Sequence, residues 1–214
     1  VATAEKRNLK GMTINIKLLI YLAFGFIAST IIGTLSHEFG HYLIAETLGY
    51  DASINYASTS YSNSKEFVEN DSFWITLGGP LETIITGTIG FTFLIVNRKS
   101  FEKSDRLNLN QWVIIFISLF WLRQLANLFM GLTGLLKRGH FSTRSDESKL
   151  DYFFNLKTGT TLSLTAILAA IILAIIVYKF IPRKQLFTFL ISGIVGGISG
   201  YYLWLVAFGK IILP

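Results

Sequence analysis

The stretch from Leu18 to Leu48 reads LLIYLAFGFIASTIIGTLSHEFGHYLIAETL. It is apolar over a length greater than the roughly 20 residues a helix needs to cross hydrocarbon, yet it carries His37, Glu38 and His41. Those three form an H-E-x-x-H pattern. On a helix, positions four apart stack on one face, so His37 and His41 present two imidazoles to one point. Two neutral imidazoles at that spacing suit Zn²⁺, and Glu38 stands beside them as a base for water. Ionisable groups in an apolar helix are costly and need a reason. Metal binding supplies one here, because two of the chain's three histidines fall inside the motif. Gly40 leaves room beside the motif for a substrate or a second helix, Tyr42 reads as a packing residue, and Gly49 is a helix stop.

Outward from this stretch the chain keeps the same character. Its 214 residues are 51% hydrophobic and 15% charged, with a mean hydropathy of +0.51. A soluble domain carries about 25% charged residues, so too few are present to cover a water-facing surface. Four more apolar runs follow, at Phe73–Val96, Trp112–Leu136, Thr160–Ile181 and Leu186–Phe208. We therefore expect an all-α, multi-pass integral membrane protein with five transmembrane helices in the lipid bilayer. A polar lead-in spans residues 1–13, and a single membrane domain spans 14–214. The net charge of +6 lies in short segments between the apolar runs, which points to membrane anchoring and no nucleic acid. The basic residues are shared almost evenly between the two sides and lean toward a cytoplasmic N-terminus. The chain opens at Val1 without an initiator Met, so an upstream piece is expected; the first apolar run holds the motif and must be retained. Cysteine is absent, so a metal would be held by His, Asp or Glu.

Polar residues interrupt the later runs. Gly79, Thr83 and Gly87 form a small-residue stripe in the second, and Ser192, Gly196 and Gly200 form another in the fifth, each suited to close helix contact. Glu82 and Arg123 lie inside the second and third runs, where the simplest expectation is that they pair, or that Arg123 bonds Asn127 and backbone carbonyls. Residues 51–58 alternate loosely like an edge strand.

His37-Glu38-Phe39-Gly40-His41, followed by Ala45 and Gly49, resembles the active-site helix of the site-2 protease family of intramembrane zinc metalloproteases. Gly79-Pro80-Leu81 resembles that family's Gly-Pro element, and Asn127 its usual Asn. The resemblance covers residues 25–150. It implies a three-span core, approximately 14–158, in which two His and one Asp hold Zn²⁺ and Glu38 activates water. It also implies a transmembrane protein substrate, unwound and received by edge pairing on strands near residues 51–60. The chain departs from the family at the third ligand. No Asp follows Asn127, where Leu-Phe-Met-Gly-Leu-Thr-Gly-Leu-Leu stands. Catalytic zinc needs three protein ligands, and Asp146 in the connector after the third run is the first choice, with Glu147, Glu82 and His140 as alternatives. Ser145-Asp146-Glu147 also reads as the cap and first turn of a short helix. Asn127 and Arg123 are candidates to contact the substrate carbonyl or transition state. Two other readings stand beside the protease: a non-catalytic membrane relative that keeps the fold as an interaction module, and a small transporter using Glu82 and Arg123.

Overall fold

The computed structural model describes residues 14–62 and 68–214. The lead-in at 1–13, with Lys6, Arg7 and Lys10, and Lys65 lie outside the described residues. Helix α1 spans Ile16–Thr47; its N-cap Asn15 accepts from the Leu18 amide at 3.0 Å, a standard way to satisfy an orphan helix donor. At the other end, Gly49 takes φ +83°, which only glycine adopts without strain. The turn lets Tyr50 N–H reach Ala45 O at 3.0 Å and Gly49 N–H reach Glu46 O at 2.9 Å, the paired bonds of a Schellman stop.

The chain then forms a hairpin, β1 (Asp51–Ile54) and β2 (Thr59–Ser62), antiparallel with Asp51 opposite Ser62. The strand expected over 51–58 thus covers only Asp51–Ile54, and the second strand begins after it, at Thr59. Asn55 breaks it, because its Oδ1 accepts from the amides of Ala57 and Ser58 at 2.9 and 2.8 Å, building a side-chain turn.

Helix α2 spans Glu69–Val96 and α3 is the short Arg98–Glu102. The third apolar run is α4 (Leu109–Ser118), a 3₁₀ turn at Leu119–Trp121, and α5 (Leu122–Arg138). Helix α6 (Asp146–Phe153) follows. The fourth run is α7 (Thr160–Ile175) with a π turn to Phe180. The fifth is α8 (Arg183–Tyr201), a π turn through Phe208, and α9 (Gly209–Ile212). Among the described residues, five helical runs are long and apolar enough to cross a membrane.

Small residues set the helix spacing. A Cβ on Gly40 would stand 2.5 Å from the Gly78 carbonyl oxygen, and the reverse holds at Gly78, so α1 and α2 cross backbone against backbone. The stripe of α8 packs on α1 as expected: Ser192 Oγ bonds Leu19 O at 3.2 Å, and Gly196 and Gly200 meet Ala23 and Thr30. Beside that seam Phe26 contacts Phe116 edge-on at 5.1 Å and Phe189 at 5.4 Å, which joins α1, α4 and α8 in one apolar core.

Candidate metal centre

Spans that alternate in direction bring the ends of α1 and α5 to the same end of the bundle, so the hairpin and α6 meet there. His37 and His41 project from the last part of α1 toward α2. Gly79 stands opposite them, and a Cβ there would collide with Nε2 of both rings. The expected packing stripe of α2 therefore divides its work. Gly79 makes space for imidazoles, Thr83 bonds one of them, and Gly87 receives the Trp121 indole.

The hydrogen-bond partners assign the tautomers. His41 Nδ1 lies 2.6 Å from Ile75 O; a carbonyl only accepts, so Nδ1 carries the hydrogen. His37 Nδ1 lies 3.1 Å from Thr83 Oγ1, and that hydroxyl donates to Gly79 O at 3.1 Å, so it accepts from His37. In neutral imidazoles this leaves both Nε2 atoms with a lone pair. The two Nε2 atoms are 3.2 Å apart. Asp146 Oδ2 lies 3.2 Å from one and 3.3 Å from the other. Tetrahedral zinc with bonds of about 2.0–2.1 Å has ligand–ligand edges of about 3.3–3.4 Å. Three lone pairs on a triangle of nearly that edge fit a divalent cation, and all three residues line one cavity.

Asp146 arrives through α6. Ser145 caps this helix, accepting from Ser148 N at 3.3 Å, so Asp146 occupies the first helical position and also completes the triangle. The cap position and a place in the group with His37 and His41 are thus compatible. In the absence of an ion a proton can occupy the triangle. Burial then opposes the charge of Asp146, but the hydrogen bonds with His37 and His41 prevail and hold its carboxyl well below the usual range.

Glu38 is 7% exposed and lines a cavity of about 540 Å³ together with His37, His41 and Asp146. Thr59 of β2 shares its hydroxyl hydrogen between Glu38 O at 2.8 Å and Glu38 Oε2 at 3.1 Å.

The other candidates have other partners. Glu147 Oε1 accepts from Asn127 Nδ2 at 2.7 Å. His140 is exposed and bonds Phe141 O at 3.0 Å. Glu82 Oε1 accepts from Ser36 and from Thr86. None of these three residues belongs to the His37–His41–Asp146 group. The expected pairing of Glu82 with Arg123 is not formed: no ion pair within 4.0 Å joins them, and Glu82 Oε1 instead takes the hydroxyls of Ser36 on α1 and Thr86 on α2. Arg123 and Asn127 both line the cavity, and Asn127 bonds Glu147 instead of Arg123. Sequence reasoning missed Thr59 and the hydrogen-bonding role of Thr83. Thr83 was within reach, since it sits four residues after Gly79 on the same helix face; nothing in the sequence ties Thr59 to Glu38. Comparison with protein-family models, curated proteins and solved structures finds no match.

Proposed function

We propose that this protein is a membrane-embedded zinc metalloendopeptidase of the site-2 protease type, cutting transmembrane or membrane-associated protein substrates. The observation that carries the reading is the triangle of His37, His41 and Asp146 beside Glu38 on an apolar helix. Helix α1 has 32 residues, about 48 Å at 1.5 Å per residue, against a hydrocarbon core of about 30 Å. His37–His41 lies about 9–15 Å below its last residue, within the bilayer and under the polar connectors. The cavity brings water to that depth, which hydrolysis requires and lipid does not supply.

His37, His41 and Asp146 would hold the zinc, which would supply Lewis-acid polarisation of the scissile carbonyl and a more acidic water. The Ile75 carbonyl and Thr83 hydroxyl fix the two imidazoles with Nε2 toward the metal position. Thr59 holds Oε2 of Glu38, leaving Oε1 to take the proton of the attacking water and pass it to the leaving amine. A transmembrane helix hides its carbonyls in its own hydrogen bonds, so the substrate must unwind. Strand β2 lines the cavity and has no strand on its other edge among the described residues, so an extended segment can pair there.

Metal analysis of the purified protein tests the reading. It should hold one zinc per chain, and Asp146→Asn should bind it more weakly. Glu38→Gln should keep the zinc and cut a membrane substrate at least about 100-fold more slowly. A wild-type chain that binds no zinc would sink the proposal.

A further inference from the structure

Four cations line the cavity that contains Glu38 and the metal triangle: Arg123, Arg138, Arg144 and Lys149. The carboxylates of the same cavity are committed to donors. Asp146 faces the two imidazoles, Glu147 takes Asn127, and Glu38 takes Thr59. The cations are not matched in this way. Among the described residues, Arg123, Arg138 and Arg144 have no carboxylate within 4.0 Å, and Lys149 has only Asp146 Oδ1, at 3.9 Å. Among the described residues the Arg123 guanidinium has no hydrogen-bond partner, and its Nε is sealed from solvent.

A buried donor without an acceptor is costly. The charges that bear most on Arg123 are Glu38, Glu147, Asp146 and Glu82. They offset its charge through space, but none accepts its hydrogens. What is left over is a planar guanidinium on the cavity wall, a shape that matches a carboxylate.

The distribution of the other cations extends the argument. Arg123, Asn127, Gly131 and Arg138 all lie on the α5 wall of the cavity. The distance along the axis from Arg123 to Arg138 is about 22 Å, the length of six or seven residues of extended chain at about 3.3 Å each. Thr59 and Tyr61 of β2 line the same cavity. A segment laid between α5 and β2 would have one end at Glu38 and the other among Arg138 and Arg144.

We propose that the cavity is a cleft for an acidic peptide: the substrate enters extended along α5, Arg123 holds a carboxylate beside the scissile bond, and Arg138 with Arg144 meets acidic residues six or seven positions further out. This rests on the protease reading and names the substrate class for it.

The test uses Glu38→Gln protein in phosphatidylcholine nanodiscs, so that the peptide stays uncut and the lipid carries no net charge. The probes are two synthetic peptides with the same apolar segment, one followed by glutamates and the other by glutamines. The glutamate peptide should bind about 10- to 100-fold tighter, the range expected for charge-assisted hydrogen bonds. Adding Arg123→Gln should remove most of that difference. Arg138→Gln with Arg144→Gln should remove the remainder and flatten the salt dependence. Arg123→Lys, checked for zinc content and thermal melting, guards against a folding defect and should retain part of the preference. Equal binding of the two peptides overturns the proposal, as does a preference that survives all three Gln substitutions. So does a preference that disappears when phosphatidylglycerol replaces part of the lipid, because the cations would then serve headgroups. Wild-type protein that holds zinc and cuts both peptides at equal kcat/KM overturns the cleft and leaves the protease reading standing. A glutamate preference in a chain that holds no zinc does the reverse.

Discussion

Gly79 shows how much one absent methyl group decides. Its Cα faces both imidazole Nε2 atoms, so Gly79→Ala places a carbon against the atoms proposed to hold zinc. Zinc affinity should fall at least tenfold while the helix gains propensity, and a chelator competition titration measures it. Gly33 is the matched control, with nothing within 4 Å of its Cβ position. Gly33→Ala should leave zinc binding unchanged and raise stability by up to about 1 kcal/mol. Thr83 acts one shell further out. Thr83→Ala removes the acceptor of His37 Nδ1–H and should weaken zinc binding by about 10- to 100-fold, as loss of a ligand's orienting partner does. His37, Glu38 and His41 were legible in the sequence because a four-residue helical spacing is a local property. Asp146 was legible only as the acidic residue that a third ligand required. It stands 109 positions from His37, and no local periodicity connects them.

At the level of elements, the site depends on two supports that carry no chemistry. The first holds α6. Asp151 is 1% exposed and accepts from Gly159 N at 2.7 Å and Thr161 N at 2.8 Å, so it caps the start of α7 with a carboxylate where a helix favours negative charge. Asp151→Ala should loosen α6, raise amide exchange over 146–153 and lower zinc affinity through Asp146. The second support clips the hairpin to the fifth run. Trp204 Nε1–H donates to Tyr56 O at 2.8 Å, and Tyr56 N–H donates to Leu213 O at 2.9 Å. Trp204→Phe removes the first bond while keeping the ring. Amide exchange over 55–62 should rise and, on the proposed protease function, cleavage should slow with zinc content unchanged, because Thr59 reaches Glu38 and not His37, His41 or Asp146. Strand tendency was visible in the alternation over 51–58, of which 51–54 is strand; the reversal at Asn55 was not, since a side-chain turn leaves the alternating pattern intact.

Across the whole molecule, the last two helical runs are bound into the same core as the first three. Phe26 on α1 is packed between Phe116 of α4 and Phe189 of α8, and the small-residue face of α8 lies along α1. A chain ending at residue 158 should therefore lose cooperative thermal melting and stoichiometric zinc, which the two measurements together would show; full retention of both would mean that the first three runs stand alone. Composition and apolar run lengths determined the helical class and the number of long apolar helices, because burial in lipid or protein acts on every residue of a run. The motif likewise determined two candidate metal ligands and a base through the pitch of a single helix. Tertiary structure decided the rest: that Asp146 and not Glu147 or Glu82 completes the triangle, that Glu82 bonds Ser36 and Thr86 while Arg123 keeps its donors, and that the fifth run steadies the hairpin over the cavity. Each of these is a contact between side chains far apart in the chain. Their meeting depends on how close Gly40 and Gly78 let two helices come and where capped helix ends turn the connectors, neither of which a single segment encodes.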